Sequence, residues 1–532
     1  MKKLRILLLF VIGIVIGVLI GINSFRLPGL KNVSPGSKIN SLLHLIEKKY
    51  VDTVDINQLE DDVIPNILKG LDPHSVYISA QDLNDVNNEL EGHFGGIGVK
   101  FTIQDDTVNI VSIISGGPSD KVGLQAGDRI VEVNDTLFVG KNISDEKVRR
   151  KLRGAKNSVV KLGIKRNSSD KLLTFNVTRD DILDPSVDVA YKVSEETGYV
   201  KVHQFGRNTY KEFMGAIIRL TQKEHCNKLI IDLRENTGGY MDVAILMVNE
   251  FLPAGRAIVY TKGKSYPSKS VFADGSGSCQ QIPIVILMDE FSASASEIFA
   301  GAIQDNDRGL IVGRRSFGKG LVQEQIDLPG ESAVRLTIAR YYTPSGRSIQ
   351  KHYQNGGDAD YEADLYNRYK TGEVYTQDSI KQNTDDVYKT LSGRIVYGGG
   401  GIMPDIFVPR DTAGYTSYYH NIINQGTIYQ FAFQYSDKNR EMLNKIKDYK
   451  QLLKHLESKN LLEEFVSFAE KKGIKRRPVL IKASESLILN NLYACIIRNR
   501  FGDDGFYPVY QQKDKTLQKA IEEIKSGRNF KK

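Results

Sequence analysis

The chain has 532 residues, of which 41% are hydrophobic and 26% charged, the composition of an ordinary globular protein with room for roughly two to four domains. Its formal net charge of +8 is modest for this length and its basic residues are scattered, so nothing in the composition favours nucleic-acid binding. The three cysteines, Cys226, Cys279 and Cys495, are far apart and odd in number, which argues against a disulfide framework and a cysteine-based metal site.

The first 23 residues predict a membrane anchor. Lys2, Lys3 and Arg5 precede an unbroken apolar run from Ile6 to Ile22, which is at the short limit of a membrane-spanning helix. No Ala-x-Ala-like cleavage site follows this run, so we interpret it as an uncleaved signal anchor whose basic end stays in the cytoplasm. A cleaved signal peptide is the alternative, and either interpretation exports the rest of the chain.

Residues 24–93 predict an N-terminal helical region. A tether that contains Pro, Gly and Ser leads into two stretches in which apolar residues recur at helical spacing. The segment LDPHSVYIS follows them, and we interpret its His74 as a structural or surface residue and not as a catalyst.

Residues 94–181 have the pattern of a small peptide-binding domain. The glycine loop GGIGVKF opens a predicted strand; its N–H groups can hold a terminal carboxylate while the strand edge accepts a peptide. The glycines alone would also suit a tight turn. The segment GGPSDKVGLQAGDRIVEVN and a predicted helix over 144–152 follow in an order that resembles a PDZ domain. The peptide-binding residues implied by this resemblance are Gly95, Gly96, Ile97, Gly98 and Val99.

From residue 182 onward, predicted strands and helices alternate, which indicates a mixed sheet with helices packed against it. The motif DLRENTGGYM lies between the second strand and the second helix. Gly238 and Gly239 at such a turn can present N–H groups to a developing oxyanion, or can simply occupy positive φ angles. Asp232 and Arg234 of this motif are expected to hold the turn by an ion pair. The predicted elements are strands over 198–202 and 229–233 and helices over 210–220 and 241–251.

The stretch from Ile282 to Gln323 has the features of a nucleophile site. An apolar run that ends at Met288 leads into a serine-rich turn and a helical pattern. Such a turn exposes a hydroxyl, and the N-terminus of the helix offers free N–H groups and a positive dipole to an oxyanion. Pattern alone does not choose among the serines, since Ser292, Ser294 and Ser296 are also ordinary helix-capping residues.

A serine hydroxyl is a weak nucleophile and needs a base. None of the eight histidines lies in this stretch, and Lys319 is the nearby candidate. A lysine acts as a base only when it is neutral, which requires a dry pocket that lowers its pKa. The residues that flank Lys319, from Phe317 to Val322, carry no other charge and suit this requirement.

The segment SASASEIFAGAIQDNDRGLIVGRRSFGKGLVQ resembles the core signature of the C-terminal processing peptidases, also called tail-specific proteases. These are Ser/Lys endopeptidases with a PDZ domain. DLRENTGG, YYTPSGRSIQ and GGGGIMPDIFVP resemble further motifs of this family in the same order. The site residues that the resemblance implies are Ser294 as nucleophile, Lys319 as base, Gln323 as the side chain that orients the lysine, and the N–H groups of Ala295 and of Gly238 or Gly239 as the oxyanion hole.

The resemblance also implies an α/β and α+β multidomain architecture, in which a PDZ domain accompanies a ClpP/crotonase-like peptidase core. Residues 358–385 are interpreted as a surface insertion. Successive amphipathic helices are predicted near the C-terminus; a plain helical bundle and a dimerisation or lid element both remain open. The predicted divisions are a signal anchor over 1–23, an N-terminal helical region over 24–93, a PDZ domain over 94–181, a Ser/Lys peptidase core over 182–410 and a C-terminal helical domain over 411–532.

The sequence therefore predicts a serine endopeptidase of the cell envelope that binds substrate C-terminal tails through its PDZ domain and cleaves by a Ser-Lys dyad. Its catalytic part would lie on the periplasmic or extracytoplasmic side of the inner membrane, held by a single N-terminal helix. Expected partners are proteins or peptides with free C-terminal tails and the membrane, with no nucleic acid, no metal and no organic cofactor; a homo-oligomer is left open.

Two alternatives stand beside this prediction. A catalytically inactive, membrane-tethered PDZ adaptor would bind C-terminal tails without cutting them, but it would not need the intact set of Ser294, Lys319 and Gln323. An esterase or other acyl-transfer enzyme on a crotonase-like core would use the same chemistry, but it would not explain the PDZ domain.

Overall fold

The computed structural model describes residues 38–104, 106–114, 116–166, 169, 171–354, 359–380 and 385–527. The predicted signal anchor over 1–23 and the tether after it lie outside the described residues. The described residues form two compact units, which divide between Gly70 and Leu71. The first unit contains helices α1 (Lys38–Lys49) and α2 (Ile56–Lys69), and the Asp55 side chain caps the N-terminus of α2.

The second unit is a mixture of strands and helices. Its strands are β1 (Val76–Ile78), β2 (His93–Gly96), β3 (Val99–Gln104), β4 (Thr107–Ile113), β5 (Arg129–Val133), β6 (Thr136–Leu137), β7 (Val159–Lys165), β8 (Leu173–Thr178), β9 (Asp180–Leu183), β10 (Val187–Ser194), β11 (Thr197–Val202), β12 (Lys228–Asp232), β13 (Ala257–Lys262), β14 (Lys269–Phe272), β15 (Ile284–Met288), β16 (Leu310–Gly313), β17 (Leu321–Leu328), β18 (Ser332–Tyr342), β19 (Val387–Lys389), β20 (Ile395–Tyr397) and β21 (Ile406–Phe407). Its helices are α3 (Ala80–Glu91), α4 (Pro118–Lys121), α5 (Asp145–Leu152), α6 (Thr209–Ile218), α7 (Met241–Asn249), α8 (Ala295–Asp305), α9 (Ala359–Lys370), α10 (Ser417–Asn424), α11 (Thr427–Lys438), α12 (Arg440–Lys445), α13 (Tyr449–Glu457), α14 (Leu461–Lys471), α15 (Pro478–Tyr510) and α16 (Lys515–Ser526).

The PDZ-like part is built on an antiparallel sheet with the strand order β3-β4-β5-β7-β8, and β6 pairs with β5. Alternate residues of these strands, such as Ile110, Ile130 and Leu162, are fully buried in one core. Helix α5 closes this core through Val148 and Leu152, and Ser144 caps its N-terminus. Strand β3 lies at one edge of the sheet, so one of its sides has no neighbouring strand in the described structure.

The peptidase part is built on a sheet with the order β10-β11-β12-β15-β16-β21, in which every pair except β10–β11 is parallel. Strands β15 and β16 and the middle of β12 are apolar, as expected where both faces of a sheet are buried. Ile231 and Ile286 face a core shared with helices α6, α7 and α8. Their neighbours Ile230, Val285 and Leu287 face the opposite side, which helix α16 covers.

A second sheet carries the strands that follow the lysine. It has the order β1-β18-β13-β14, and β17 pairs with β18 along its length. Strand β17 begins at Leu321, two residues after Lys319, so this sheet fixes the direction in which the lysine loop leaves the core.

The C-terminal helices from α10 to α15 share a separate apolar core, as the amphipathic pattern predicts. The stretch Pro478–Lys513 is long and apolar enough to cross a membrane by length and composition alone. Its Ile488, Leu492 and Ile496 are buried within the helical core, however, as in the central helix of a soluble bundle. The last helix, α16, does not belong to this core but forms a layer of the peptidase sheet.

Candidate active site

The turns after strands β12 and β15 meet at the carboxyl edge of the parallel sheet, where active sites of α/β proteins commonly form. Ser294 lies in the second of these turns, directly before helix α8, with a φ angle of 55°. A non-glycine residue at positive φ is unusual and is found preferentially where function requires it. The turn therefore has the shape that the sequence predicts for a nucleophile.

The structure separates the three serines that the pattern does not distinguish. Ser292 is fully buried, and its hydroxyl donates to the Leu233 carbonyl at 2.8 Å. Ser296 is also fully buried, and its hydroxyl donates to the Asn236 carbonyl at 2.9 Å. Ser294 is partly exposed and lines a cavity, so it alone of the three is open to solvent.

This cavity measures about 640 Å³, and it brings together most of the residues predicted for the catalytic site. Helix α3 supplies part of its wall through Val86 and Leu90. Since β2 follows α3 almost at once, the wall of the cavity is continuous along the chain with the PDZ-like part. The predicted site residues that line the cavity are Ser294, Lys319, Gln323, Gly238 and Gly239.

Lys319 lies in surroundings that lower its pKa. Its Nζ donates a hydrogen bond to Oε1 of Gln323 at 2.9 Å, so the predicted orienting contact is present in the geometry. Burial lowers the pKa of Lys319, and the nearby positive charge of Arg335 lowers it further, while Glu297 and Asp72 act in the opposite direction. The net lowering of the pKa increases the neutral fraction of the Lys319 amine near physiological pH.

Gln323 is itself fixed by a residue that the sequence assigned no role at the site. The Nε2 group of Gln323 donates to the backbone carbonyl of His74, and the His74 ring contacts the rings of Phe317 and Tyr361. Burial and the charge of Lys319 lower the pKa of His74 to about 4, so the imidazole is neutral at pH 7. A backbone acceptor leaves no mark on the side-chain pattern, which is why sequence reasoning missed this contact.

Glu297 joins the serine turn to the lysine loop. Its Oε1 accepts from the Ser316 hydroxyl at 2.5 Å and the Gly318 N–H at 2.7 Å, and its Oε2 accepts from the N–H groups of Ser294 at 2.8 Å and Lys319 at 2.9 Å. Full burial raises the pKa of Glu297 to about 7, against the effect of these four hydrogen bonds. The capping-box spacing of a serine followed three residues later by a glutamate was the signal available in the sequence.

The two glycines of the DLRENTGG turn differ in their hydrogen bonds. The Gly238 N–H donates to Oδ1 of Asn236 at 2.9 Å and is therefore already engaged. The Phe205 N–H donates to the Gly238 carbonyl, and the Tyr240 N–H donates to the Phe205 carbonyl. The Gly239 N–H, which lies between these two groups in the chain, takes no part in this pairing with Phe205.

Gly238 also lies against the serine turn. A Cβ atom on Gly238 would stand 2.7 Å from Cβ of Ser294 and 3.1 Å from the Ala295 nitrogen, and its φ angle is +110°. Only glycine fits this approach. Because Ala295 begins helix α8, its N–H has no acceptor within the helix.

The predicted peptide-binding loop lies at a second cavity, of about 410 Å³, between β3 and α5. Four of its five predicted residues line this groove: Gly96, Ile97, Gly98 and Val99. Gly95 does not line it but pairs with Asp181 between strands β2 and β9, where an added Cβ would stand 2.2 Å from the Gly154 carbonyl oxygen.

The predicted surface insertion is only partly on the surface. Helix α9 contains Arg368, which is buried and donates to the carbonyls of Ser316 at 2.7 Å and Phe317 at 3.1 Å. These are the residues just before the lysine loop, so α9 supports that loop. The polar, tyrosine-rich composition of this segment favours an exposed position. It does not show that the Arg368 side chain is buried with its guanidinium bonded to backbone carbonyls.

Three segments of the chain match known protein families. Residues 196–363 match peptidase family S41, residues 95–178 match the PDZ domain and residues 418–502 match a family of unknown function (DUF8443). The chain is 36% identical over 318 residues to a carboxy-terminal-processing protease of Bartonella bacilliformis, which covers 59% of this chain and 72% of that protein. It is 32% identical over 317 residues to the carboxy-terminal processing protease CtpB of Bacillus subtilis, which covers 59% of this chain and 65% of that protein.

Among solved structures, the photosystem II D1 C-terminal processing protease aligns at 24% identity with a TM-score of 0.36, over 70% of this chain and 92% of that chain. The sequence matches, and not this low score, identify the family. Peptidase and PDZ segments occur in one chain, and the identity to the Bartonella enzyme extends over most of its length. The chain belongs to the carboxy-terminal processing proteases of peptidase family S41, and it is a serine-type peptidase with a PDZ domain.

Proposed function

We propose that the chain cleaves polypeptides with Ser294 as nucleophile, Lys319 as base and Gln323 as the side chain that holds the lysine. One observation carries this proposal: Ser294 and Lys319 line the same cavity, and the Lys319 amine in it has a lowered pKa. The other serines of the turn are committed to structural hydrogen bonds, which supports the choice of Ser294.

In the proposed mechanism, neutral Lys319 takes the Ser294 proton as the oxygen attacks the substrate carbonyl. The N–H groups of Ala295 and Gly239 stabilise the oxyanion of the tetrahedral intermediate. We favour Gly239 over Gly238 because the Gly238 N–H already donates to Asn236. The lysine ammonium then protonates the leaving amine, and water, activated by Lys319, hydrolyses the acyl-enzyme.

The proposed substrates are proteins or peptides with free C-terminal tails. The N–H groups of the loop over 96–99 would hold the tail carboxylate, and the tail would add as a strand to the edge of β3. The edge position of β3 and the groove between β3 and α5 support this proposal.

The location is also a proposal. The basic residues and apolar run at the N-terminus support an uncleaved anchor over 1–23, with the catalytic part outside the cytoplasm and tethered to the inner membrane. The divisions at residues 94, 182 and 411 and a ClpP/crotonase-like course of the peptidase core are proposed on the same resemblance. Limited proteolysis of intact spheroplasts tests the location, because a cytoplasmic catalytic part would be protected.

Substitution of the proposed dyad tests the chemistry. Ser294→Ala and Lys319→Ala should each abolish cleavage of an unfolded protein that ends in an apolar tail, with the thermal unfolding midpoint unchanged within a few degrees. Lys319→Arg should also be inactive because arginine stays charged. Lys262→Arg, at an exposed position on β13, is the matched control and should retain activity.

Retained cleavage by purified Ser294→Ala protein would contradict the assignment. Absence of cleavage by the wild-type chain, together with tail binding to residues 94–181, would instead favour the inactive PDZ adaptor.

A further inference from the structure

Arg234, in the turn that leads to the proposed oxyanion hole, is held between two carboxylates. Its guanidinium lies 2.6 Å from Oδ2 of Asp232, which ends strand β12. On the other side Nη1 donates to Oδ1 of Asp514 at 3.0 Å, and Nη2 lies 2.7 Å from Oδ2 of Asp514. The first carboxylate is the neighbour that the DLRENTGG motif predicts, whereas the second comes from 280 residues further along the chain.

This ion pair is well enclosed. The Asp232 side chain is fully buried, and the side chains of Arg234 and Asp514 are only 15% and 19% exposed. Two parallel N–H to oxygen contacts fix the plane of the guanidinium as well as its distance, which a single contact does not. The proximity of Arg234 lowers the pKa of Asp232 in spite of burial, so the carboxylate stays charged.

A hydrogen-bond relay beside the ion pair starts from the same part of the chain. Gln511 donates from Nε2 to the Tyr199 hydroxyl at 2.6 Å, and that hydroxyl donates to Oδ2 of Asp232 at 2.6 Å. The Tyr191 hydroxyl donates to Oε1 of Gln511 at 2.6 Å. The segment between α15 and α16 is therefore linked to Asp232, at the end of β12, by two routes, through Tyr199 and through Arg234.

The end of β12 is connected to the catalytic turn by short steps. The Leu233 carbonyl accepts from Ser292, and the Asn236 carbonyl accepts from the Ala293 N–H at 3.0 Å. Oδ1 of Asn236 also holds the Gly238 N–H. A displacement of Arg234 would thus be transmitted to Gly239 and to the backbone around Ser294 within a few residues.

We propose that Asp514 is a positioning residue for catalysis, which locks Arg234 and thereby sets the oxyanion-binding turn. This inference rests on the proposed function of Ser294 and Gly239. It assigns a catalytic dependence to the segment after the C-terminal helical bundle, so that the peptidase site is complete only when α16 is docked.

Asp514→Asn is the sharpest test. Asp514 also caps α16 by accepting from the Leu517 N–H at 3.0 Å, and asparagine preserves that cap while it removes the charge. We expect kcat for a tail-bearing peptide to fall about tenfold. Complete removal of an oxyanion-hole donor lowers kcat by about a hundredfold or more, and a donor that is only displaced should cause part of that loss. KM should stay within about twofold, since the peptide-binding groove is untouched.

Asp448→Asn is the matched control. Asp448 caps α13 in the same way, through the Gln451 N–H at 2.9 Å, but it is half-buried at the start of a bundle helix and does not belong to the segment that pairs with Arg234. Leu517→Ala controls for stability, because it weakens the packing of α16 and leaves both oxygens of Asp514 in place. We expect wild-type kcat from both controls at a temperature where all three variants are folded.

The rate of acylation by a fluorophosphonate reagent provides a second readout, since this reaction uses the same oxyanion site without tail binding. It should fall with kcat in Asp514→Asn. Arg234→Lys, which cannot hold two carboxylates in the same way, should reproduce the defect, and the double variant should be no worse than either single one.

Wild-type kcat and acylation rate in Asp514→Asn would overturn the inference. An equal loss in Leu517→Ala, at a temperature where α16 stays docked, would also overturn it, because both oxygens of Asp514 remain in that variant. Failure of the proposed function is distinguishable from this outcome, because it would appear as undiminished activity in Ser294→Ala whatever the behaviour of Asp514→Asn.

Discussion

Charges on neighbouring side chains tune Lys319 in opposite directions. Arg335 projects into the same cavity and lowers the pKa of the lysine, while the carboxylate of Glu297 acts against it. The proposed Ser/Lys mechanism depends on this balance, because only the neutral fraction of the amine can accept the serine proton. In that mechanism both neighbours would influence the rate although neither would touch the reacting bond.

The first prediction concerns Arg335. Arg335→Gln removes a like charge near Lys319, so the pKa of the lysine should rise and the acid limb of kcat/KM should move to higher pH. Activity at neutral pH should fall, and activity well above the limb should recover. The pH profile of kcat/KM measures the shift. Arg340→Gln, an exposed position on the same strand, should leave the profile unchanged.

The second prediction concerns Glu297 and stability. Its folded-state pKa of about 7 lies above the ordinary value of 4.5, so between these pH values the folded chain keeps a proton that the unfolded chain has lost. The contribution of this group to stability is therefore full below about pH 4.5 and is lost as the pH rises through 7, by about 3 kcal/mol at most.

Glu297→Gln cannot titrate and should abolish this part of the pH dependence. Thermal unfolding of both proteins from pH 4.5 to 8 measures the difference between the two curves, which isolates the one group. Glu324→Gln, at an exposed position, should follow the wild-type curve. A constant difference between wild type and Glu297→Gln across this range would contradict the prediction.

At the scale of elements, the sequence predicts what lies within one segment and misses what joins distant ones. The predicted strand over 198–202 differs from β11 by one residue, and the predicted helix over 144–152 differs from α5 by its capping residue alone. These succeed because apolar periodicity and capping are local. The contact of Asp514 with Arg234 is missed because the two residues are 280 positions apart in the chain. The contact of Gln323 with His74 is missed because the acceptor is a backbone carbonyl, which every residue has.

The catalytic turn illustrates both cases. The motif resemblance selects Ser294 among three serines, and the structure supplies the physical difference, since Ser292 and Ser296 are buried and bonded to carbonyl groups. The role of helix α9 is the opposite case. Its polar composition suggests an exposed insertion, whereas Arg368 reaches the lysine loop.

The third prediction tests this support by α9. Arg368→Gln removes the contacts to the Ser316 and Phe317 carbonyls and breaks an ion pair with Asp364 at 3.0 Å. Buried carbonyls left without donors should cost about 2 kcal/mol of unfolding free energy, and the loosened loop should lower kcat. Denaturant unfolding and peptide turnover measure the two effects. Lys370→Gln, at the exposed end of the same helix, should change neither quantity.

At the scale of the whole molecule, the last helix, α16, packs against the peptidase sheet and not in the core of the other C-terminal helices. The parallel sheet is apolar on both faces, and helices α6, α7 and α8 cover only one of them. Leu517, Ala520 and Ile524 of α16 cover the other. A sheet with one bare apolar face would expose a surface that soluble proteins avoid.

The last prediction follows from this layering. A chain that ends after Tyr510 loses α16 and should be recovered as aggregate, because Ile230, Val285 and Leu287 would lie open to water. A chain that ends after Gly527 keeps α16 and should remain soluble and active, which makes it the matched control. Size-exclusion chromatography of the two proteins, expressed side by side without the first 37 residues, measures the difference.

A soluble, monomeric chain ending at Tyr510 with wild-type turnover would show that the peptidase sheet needs only one helical layer, and it would remove the basis for coupling the C-terminus to the catalytic turn.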